Sequence, residues 1–419
     1  MPPAGSVPLS VLDLAPLPSG SSAADALRNT LDLARQAERF GYARYWLAEH
    51  HLTPGVASAA PAVLIALVAA ATERIRVGSG AVQTGHDTAV VVAEQFGTIA
   101  HLHPGRVDLG LGRSNLGRLV DRAAKPTPNG TAQPPNGTAQ PPNGTAQPLN
   151  GTAQPLNGTA QPLNGTAQSP PRPSARVVDG LLLPEPPAVT FDVERLGRQL
   201  RLVGFRDGPE EDYTALVRDI QAFVGGTYRA PDGTALSAPA AEGADLEIWI
   251  LAATAGGSAL TAAALGLPLG ANYHIVPSTV LETIAAYRAA FRPGVLNEPR
   301  VMVSADVVVA PDDETARRLA SGYGPWVASI RAGGGAIPYP SPGEVAARGL
   351  SDAERALVAD RVDTQFVGSP ETVVRGLRVL RDATGADELL ITTITHDHAD
   401  RVRSYELLAE AWSRSSAVG

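Results

Sequence analysis

Short apolar runs alternate along the chain with segments whose apolar residues recur every three or four positions. Residues 7–12 read as a strand. In residues 25–40, Leu27, Leu31, Leu33, Ala34, Ala37 and Phe40 fall at helical spacing, and Gly41 supplies a stop. Residues 45–48, 75–82 and 107–112 continue as strands, with helices at 58–71 and 90–102 between them. Such alternation implies parallel βαβ units.

A repeat then interrupts the pattern. From Asn129 the heptapeptide Asn-Gly-Thr-Ala-Gln-Pro followed by Pro or Leu recurs, the six copies starting at 129, 136, 143, 150, 157 and 164. A seven-residue unit with a proline and at most one leucine cannot bury enough apolar surface to offset the cost of ordering its backbone. Residues 126–175 are therefore expected to be a disordered low-complexity insertion, not a solenoid.

The alternation resumes beyond it. Strands are expected at 246–251, 269–273, 301–309 and 388–393. Helices are expected at 212–224, 260–265, 279–291, 312–321, 370–384 and 399–413. Residues 324–350, rich in Gly and Pro, read as a long loop. About eight strand–helix pairs make a closed parallel barrel. The expected fold is thus α/β, a single (β/α)8 TIM barrel over residues 1–419 with the insertion after its fourth strand. An open doubly wound sheet is the alternative, but Gly110, Gly112 and Gly117 do not fit the Gly-x-Gly-x-x-Gly turn such sheets use.

Composition narrows the function. Hydrophobic residues are 44% but aromatics only 5%, a core of small and branched side chains that suits barrel layers. A net charge of -8 gives no reason to bind nucleic acid or an anionic membrane. The absence of cysteine excludes disulfides, thiolate metal sites and cysteine nucleophiles. The longest apolar stretch, residues 57–71, is broken by Ser58 and Pro61 and is too short to span a bilayer. The first ten residues lack the basic and apolar regions of a signal peptide, so a cytoplasmic location is expected.

In a parallel barrel the C-terminal strand ends form the active-site mouth. Candidates there are Glu49-His50-His51, Gly80-Ala81, Arg113, Thr254 with Gly256, Gly257 and Ser258, His274, and His396-Asp397-His398. Gly256 and Gly257 let backbone amides approach an anion, Thr254 and Ser258 offer hydroxyls, and Arg113 adds charge. That makes a phosphate seat; a flexible turn before a helix is the plainer reading. His50 and His51 are open to three readings: a pocket donor or base, a structural pair, or metal ligands. Adjacent histidines on an extended segment diverge, so a metal would need a third ligand from Asp87, His274 or Asp397. No metal is expected. His396-Asp397-His398 reads as a solvated loop or helix cap.

These segments, taken in order, resemble the bacterial luciferase-like flavin-dependent monooxygenases. The stretches that carry the resemblance include Tyr45-Trp-Leu-Ala-Glu-His-His51, Arg74-Ile-Arg-Val-Gly-Ser-Gly80, His103-Pro-Gly-Arg-Val-Asp-Leu-Gly-Leu-Gly-Arg113, Ile248-Trp-Ile-Leu251 and Val367-Gly-Ser-Pro-Glu371. The resemblance implies FMN, reduced by a partner flavin reductase, with dioxygen as co-substrate and a small organic molecule as the group oxygenated. It implies a homodimer. It places His50 beside the flavin with Glu49 orienting it, a non-proline cis peptide at Gly80–Ala81, and Arg113, Thr254 and Ser258 on the phosphate side. A deazaflavin-dependent hydride transfer on the same fold, or a non-catalytic flavin-binding paralogue, are the alternatives. The chain departs from the family pattern in three places: Ala252-Ala253-Thr254 replaces Gly-Ser-Ser; Gln83-Thr-Gly-His-Asp-Thr-Ala89 replaces Met-Leu-Pro-Asn-His-Ala-Pro; and Ser114-Asn-Leu-Gly117 replaces Ala-Pro-Gly-Thr-Asp.

Overall fold

The computed structural model describes residues 7–113, 174–187, 193–204 and 212–416. Eight strands form a ring: β1 (Leu9–Asp13), β2 (Arg44–Leu47), β3 (Arg76–Ser79), β4 (Val107–Gly112), β5 (Leu246–Ala252), β6 (Leu269–Asn272), β7 (Val301–Val309) and β8 (Glu388–Thr392). Each pairs in parallel with the next. The ring closes where β8 returns to β1, through Leu9↔Leu389, Ser10↔Leu390 and Val11↔Ile391. Around it stand α1 (Ala23–Phe40), α2 (Pro61–Ala71), α3 (Ala89–Leu102), α4 (Tyr213–Val224), α5 (Gly257–Ala264), α6 (Val280–Ala290), α7 (Pro370–Thr384) and α8 (His398–Ser416). This is the (β/α)8 barrel expected from the alternation. The insertion expected at 126–175 lies almost wholly outside the described residues. Directly after it, Arg176–Val178 pairs antiparallel with Leu181–Leu183.

The two-residue period of the strands divides the core in two. Val11, Tyr45, Val77, Leu109, Val303 and Ile391 face outward and pack under the helices. Leu12, Trp46, Trp249, Met302 and Leu390 face inward and share a second cluster inside the ring. There Trp46 and Trp249 meet edge to face at 5.4 Å. Towards the N-terminal strand ends the interior becomes ionic. Arg44 reaches Asp108 at 2.7 Å, Glu388 at 3.0 Å and Glu247 at 3.1 Å. Arg76 adds a second bond to Asp108 at 2.5 Å. Charges this deep persist only when each is paired, because dehydrating a lone ion costs several kcal/mol or more. The N-terminal end of the barrel is therefore plugged, and access is left at the C-terminal rim.

Several expected boundaries move. The strand expected at 75–82 is two pieces, because Gly80 and Ala81 part β3 from a two-residue strand, Val82–Gln83, that pairs with β4. α2 starts at Pro61 rather than residue 58, since Ser58 turns its hydroxyl back to the Ala48 carbonyl. The loop expected at 324–350 is a correction of substance: it contains helices Tyr323–Arg331 and Pro342–Arg348. Gly324 and Pro325 sit in the first turn, where a missing N–H leaves no bond unmade. Pro342 likewise occupies the first turn, behind a capping box in which Ser341 and Glu344 satisfy each other's backbone N–H. Helix Asp352–Val362 and strand Phe366–Gly368 complete the excursion between β7 and α7. Tyr323, Trp326, Val327 and Tyr339 from this excursion join the inward-facing cluster and cover the barrel interior. Among the described residues no helix is long and apolar enough to cross a membrane.

Candidate active site

Beyond β2 the chain carries Glu49, whose side chain is only 4% exposed. Its Oε1 accepts hydrogen bonds from Nε2 of both His51 and His86, each at 2.7 Å. Its Oε2 accepts from the Gln83 backbone N–H at 2.8 Å, while the Gln83 side-chain amide donates to the Glu49 carbonyl at 2.6 Å. The two imidazoles meet edge to face at 5.0 Å. Burial pushes the Glu49 carboxyl up, but the bonds from His86, His51 and Gln83 outweigh it and hold it below its ordinary range. The bond to Glu49 raises His86 in return, against its burial. The partner that joins Glu49 and His51 is thus His86, not the Asp87, His274 or Asp397 weighed from the sequence. The strand Val82–Gln83, held on β4, carries the following loop back over Glu49, a path no local spacing reveals.

His50 points elsewhere, as alternation along an extended segment requires. Its backbone N–H donates to the Ser58 carbonyl at 2.8 Å. Its Nδ1 is buried and has no hydrogen-bond partner among the described residues. Burial holds this ring below the usual histidine range, with Glu49 pulling upward and His51 downward. His274, at the end of β6, lies in the same electrostatic neighbourhood. Its Nδ1 shares a 2.5 Å hydrogen bond with the Ser304 hydroxyl. Burial, then the charges of Arg361 and His50, keep it well below the usual range. At neutral pH the mouth therefore holds two uncharged imidazoles.

The rim continues through Gly80 and Ala81, joined by a cis peptide as the resemblance implies. Gly80 N–H donates to the Leu47 carbonyl at 2.8 Å, so this corner is tied to β2. A Cβ on Gly80 would lie 2.8 Å from Leu12 Cδ1 and 3.3 Å from the Trp46 ring, so a side chain there would have to displace the Leu12 tip. Ala81 packs against Gly112, and Arg113 follows directly. The Arg113 guanidinium reaches the start of α5: Nη1 is 3.1 Å from where a Gly257 Cβ would be. Gly256 is the N-cap of α5, and Thr254 Oγ1 lies 3.3 Å from its corresponding Cβ position. Arg113, Thr254, Gly256, Gly257 and Ser258 thus gather at one helix N-terminus, across the rim from His50.

One cluster escaped the sequence reading. Asp306 on β7, Tyr323 and Arg361 are buried together: Tyr323 donates to Asp306, while Arg361 contacts Tyr323 at 2.6 Å and Asp306 at 3.4 Å. Burial raises the Asp306 carboxyl despite Arg361. The signal in the sequence was an aspartate in a strand whose other polar residue is Ser304; its partners lie on helices expected as loop or not expected at all. Nearby, Tyr339 Oη, Trp326 Nε1 and Thr392 Oγ1 are buried without hydrogen-bond partners among the described residues. His396-Asp397-His398 does cap a helix, since Asp397 accepts from Ala399 N–H at 2.7 Å.

The closed ring and its rim define a TIM-barrel protein with candidate chemistry at the C-terminal face. A family model described as luciferase-like monooxygenase matches residues 7–119 and 211–388, well over half of the chain. The chain belongs to this family. A luciferase-like monooxygenase of Escherichia coli is 30% identical, covering 96% of each chain. The crystal structure of apo-MsnO8 is 29% identical with a TM-score of 0.70, covering 97% of this chain and 98% of that one. The fold alone is shared with two more distant structures. One is the oxygenating constituent of a Pseudomonas putida diketocamphane monooxygenase in complex with FMN, at TM-score 0.55 and 17% identity, covering 98% of both chains. The other is an F420-dependent secondary alcohol dehydrogenase, at TM-score 0.56 and 13% identity, covering 97% of this chain and 99% of that one.

Proposed function

We propose that the protein is an FMN-dependent monooxygenase that oxygenates a small organic substrate. The observation that carries this reading is the two-ended rim, with a neutral His50 at one side and the Arg113–Gly257 seat at the other. The residues present fit a flavin on three counts. His50 Nδ1 is buried with no hydrogen-bond partner among the described residues, Gly80 carries no side chain where a Cβ would crowd Leu12 and Trp46, and Arg113 lies against a helix N-terminus suited to an anion. When bound, reduced FMN supplies the electrons that activate dioxygen. The chain's own part is to bind, orient and shield. Arg113, Thr254 and Ser258 would hold the phosphate, and the amides of Gly256 and Gly257 would add donors. His50, with its buried Nδ1, would hold or move a proton beside a bound flavin. Glu49 is a positioning residue that fixes the loop around His50 through Gln83, His51 and His86. The segment carrying Trp326 and Tyr339 excludes water from the interior.

The reductant comes from a separate flavin reductase, and the working unit is a homodimer. Val63 and Leu67 on α2, at 61% and 50% exposure, form an apolar surface suited to the second copy. Light scattering gives the assembly mass.

The test is direct. Protein dialysed after addition of FMN should retain flavin absorption. Mixed with photoreduced FMN in air, it should consume dioxygen faster once a substrate is present, and His50→Ala should alter the rate of flavin reoxidation. The absence of affinity for either redox state of FMN rejects the reading. Anaerobic binding of a reduced deazaflavin in preference to FMN moves the protein to the hydride-transfer branch, in keeping with the F420-dependent neighbour. Stoichiometric flavin with no turnover, and no effect of His50→Ala, makes it a binding paralogue.

A further inference from the structure

We propose that Glu49, His51 and His86 form a binding site for a divalent transition cation of the zinc, cobalt or nickel kind, with at least one coordination position left open. The proposal does not rest on the flavin reading. Oε1 of Glu49 is 2.7 Å from Nε2 of each histidine, and the three candidate ligand atoms lie within 4.8 Å of one another. Two imidazole nitrogens and one carboxylate oxygen are a ligand set for borderline cations and a poor one for calcium or magnesium, which seek more oxygens. A tetrahedral zinc ion with bonds of about 2.0–2.1 Å needs its donors about 3.3 Å apart. To hold zinc, each histidine would draw back from Oε1 by about half an ångström, the two Nε2 atoms would settle at the same donor separation, and the Nε2 proton of each neutral imidazole would pass to its Nδ1.

The surroundings favour this use of the cluster. The carboxylate is already oriented, with Oε2 held by the Gln83 N–H and the Glu49 carbonyl held by the Gln83 side chain. Outer partners of this kind fix a ligand's direction and are part of a working metal site. Glu49 and His86 are 4% and 9% exposed, while His51 is 29% exposed. Two ligands are therefore fixed inside and the third stands at the surface, where an ion can enter. Three protein ligands leave room for water or for an oxygen donor of a small molecule, as at catalytic rather than closed structural zinc sites.

A carboxylate acting only as acceptor for two imidazoles needs no ion, and experiment separates the two cases. Full-length protein, stripped of metal by dialysis against a chelator and free of flavin, is titrated with Zn2+ in competition with a chromophoric chelator. The expected result is one Zn2+ per chain, with affinity at least about tenfold weaker in His86→Gln and in His51→Ala. Thermal unfolding followed by circular dichroism establishes that each variant is folded. X-ray absorption by zinc on the parent protein supplies a reading that needs no variant, and should give two imidazole nitrogens with oxygen completing the shell. The proposal is overturned by no stoichiometric uptake, by a zinc shell without imidazole, or by folded variants that bind as tightly as the parent.

Discussion

Asp13 ends β1 with its side chain wholly buried, and every group around it donates. Arg401 and the Ala15 N–H reach Oδ1 at 2.7 and 2.8 Å, and Thr30 and Tyr45 reach Oδ2 at 2.7 and 2.5 Å. One carboxylate thereby ties β1 to α1, β2 and α8. Burial alone would raise its pKa, but Arg401 and the hydrogen bonds prevail and hold it below 3.8. A depressed carboxyl stabilises the fold above its unfolded value and loses that contribution as pH falls through its folded value. Asp13→Asn should therefore cost about 3–5 kcal/mol at neutral pH, since Arg401 is left buried without its counter-ion. Urea unfolding should show the gap between parent and variant narrowing below pH 3.8. A small gap independent of pH would refute this account. Arg113 supports a second prediction at the same scale. Hydrogen bonds to charged groups contribute about 1.5–3 kcal/mol, so Arg113→Ala should weaken FMN binding by about tenfold to a hundredfold. Riboflavin, which lacks the phosphate, should bind the two proteins alike; equal losses for both flavins would place Arg113 elsewhere.

At the scale of elements, the strands and the well-separated helices were legible because their periods are local. Leu27, Leu31, Leu33, Ala34 and Ala37 mark the inner face of α1 in the sequence, and Leu33, Ala34 and Ala37 are buried in the structure. Residues 324–350 were not legible, because glycine and proline carry opposite meanings inside a helix and in its first turn. Caps also decide how firmly an element holds. Asp212 accepts from the N–H groups of Thr214 and Ala215 at 2.9 and 3.3 Å, and so starts α4. The next residue, Tyr213, donates to the Leu111 carbonyl of β4 at 3.2 Å, so this helix start braces the strand that carries Arg113. Asp212→Ala should cost about 0.5–2 kcal/mol. Chemical denaturation should record it as a lower midpoint at unchanged slope. No shift in midpoint would mean that the cap contributes nothing.

For the whole molecule, ring closure is the event on which the site depends. β4 pairs with β5 along six residue partners, from Val107↔Leu246 to Gly112↔Leu251, although more than a hundred residues separate them. That pairing, not the intervening chain, holds the fourth and fifth strands together. Deleting residues 128–169, the repeat region, should leave cooperative unfolding intact and not lower the midpoint. Loop length enters stability only logarithmically, each doubling costing about 0.6 kcal/mol, so shortening the connection is not a penalty. Loss of a cooperative transition after the deletion would assign the repeat a part in the fold.

By itself the sequence determined the order of strands and helices, the closed barrel they imply, the family, and the residues at each strand end. These follow from periodicity and from contiguous motifs, both written within a few neighbouring positions. Only the tertiary structure decided that His86 joins Glu49 and His51 and that Asp306 finds Tyr323 and Arg361. Those contacts join residues 17 to 55 positions apart, and their geometry is set by how the ring closes and how the chain folds back over its rim. No local pattern encodes that.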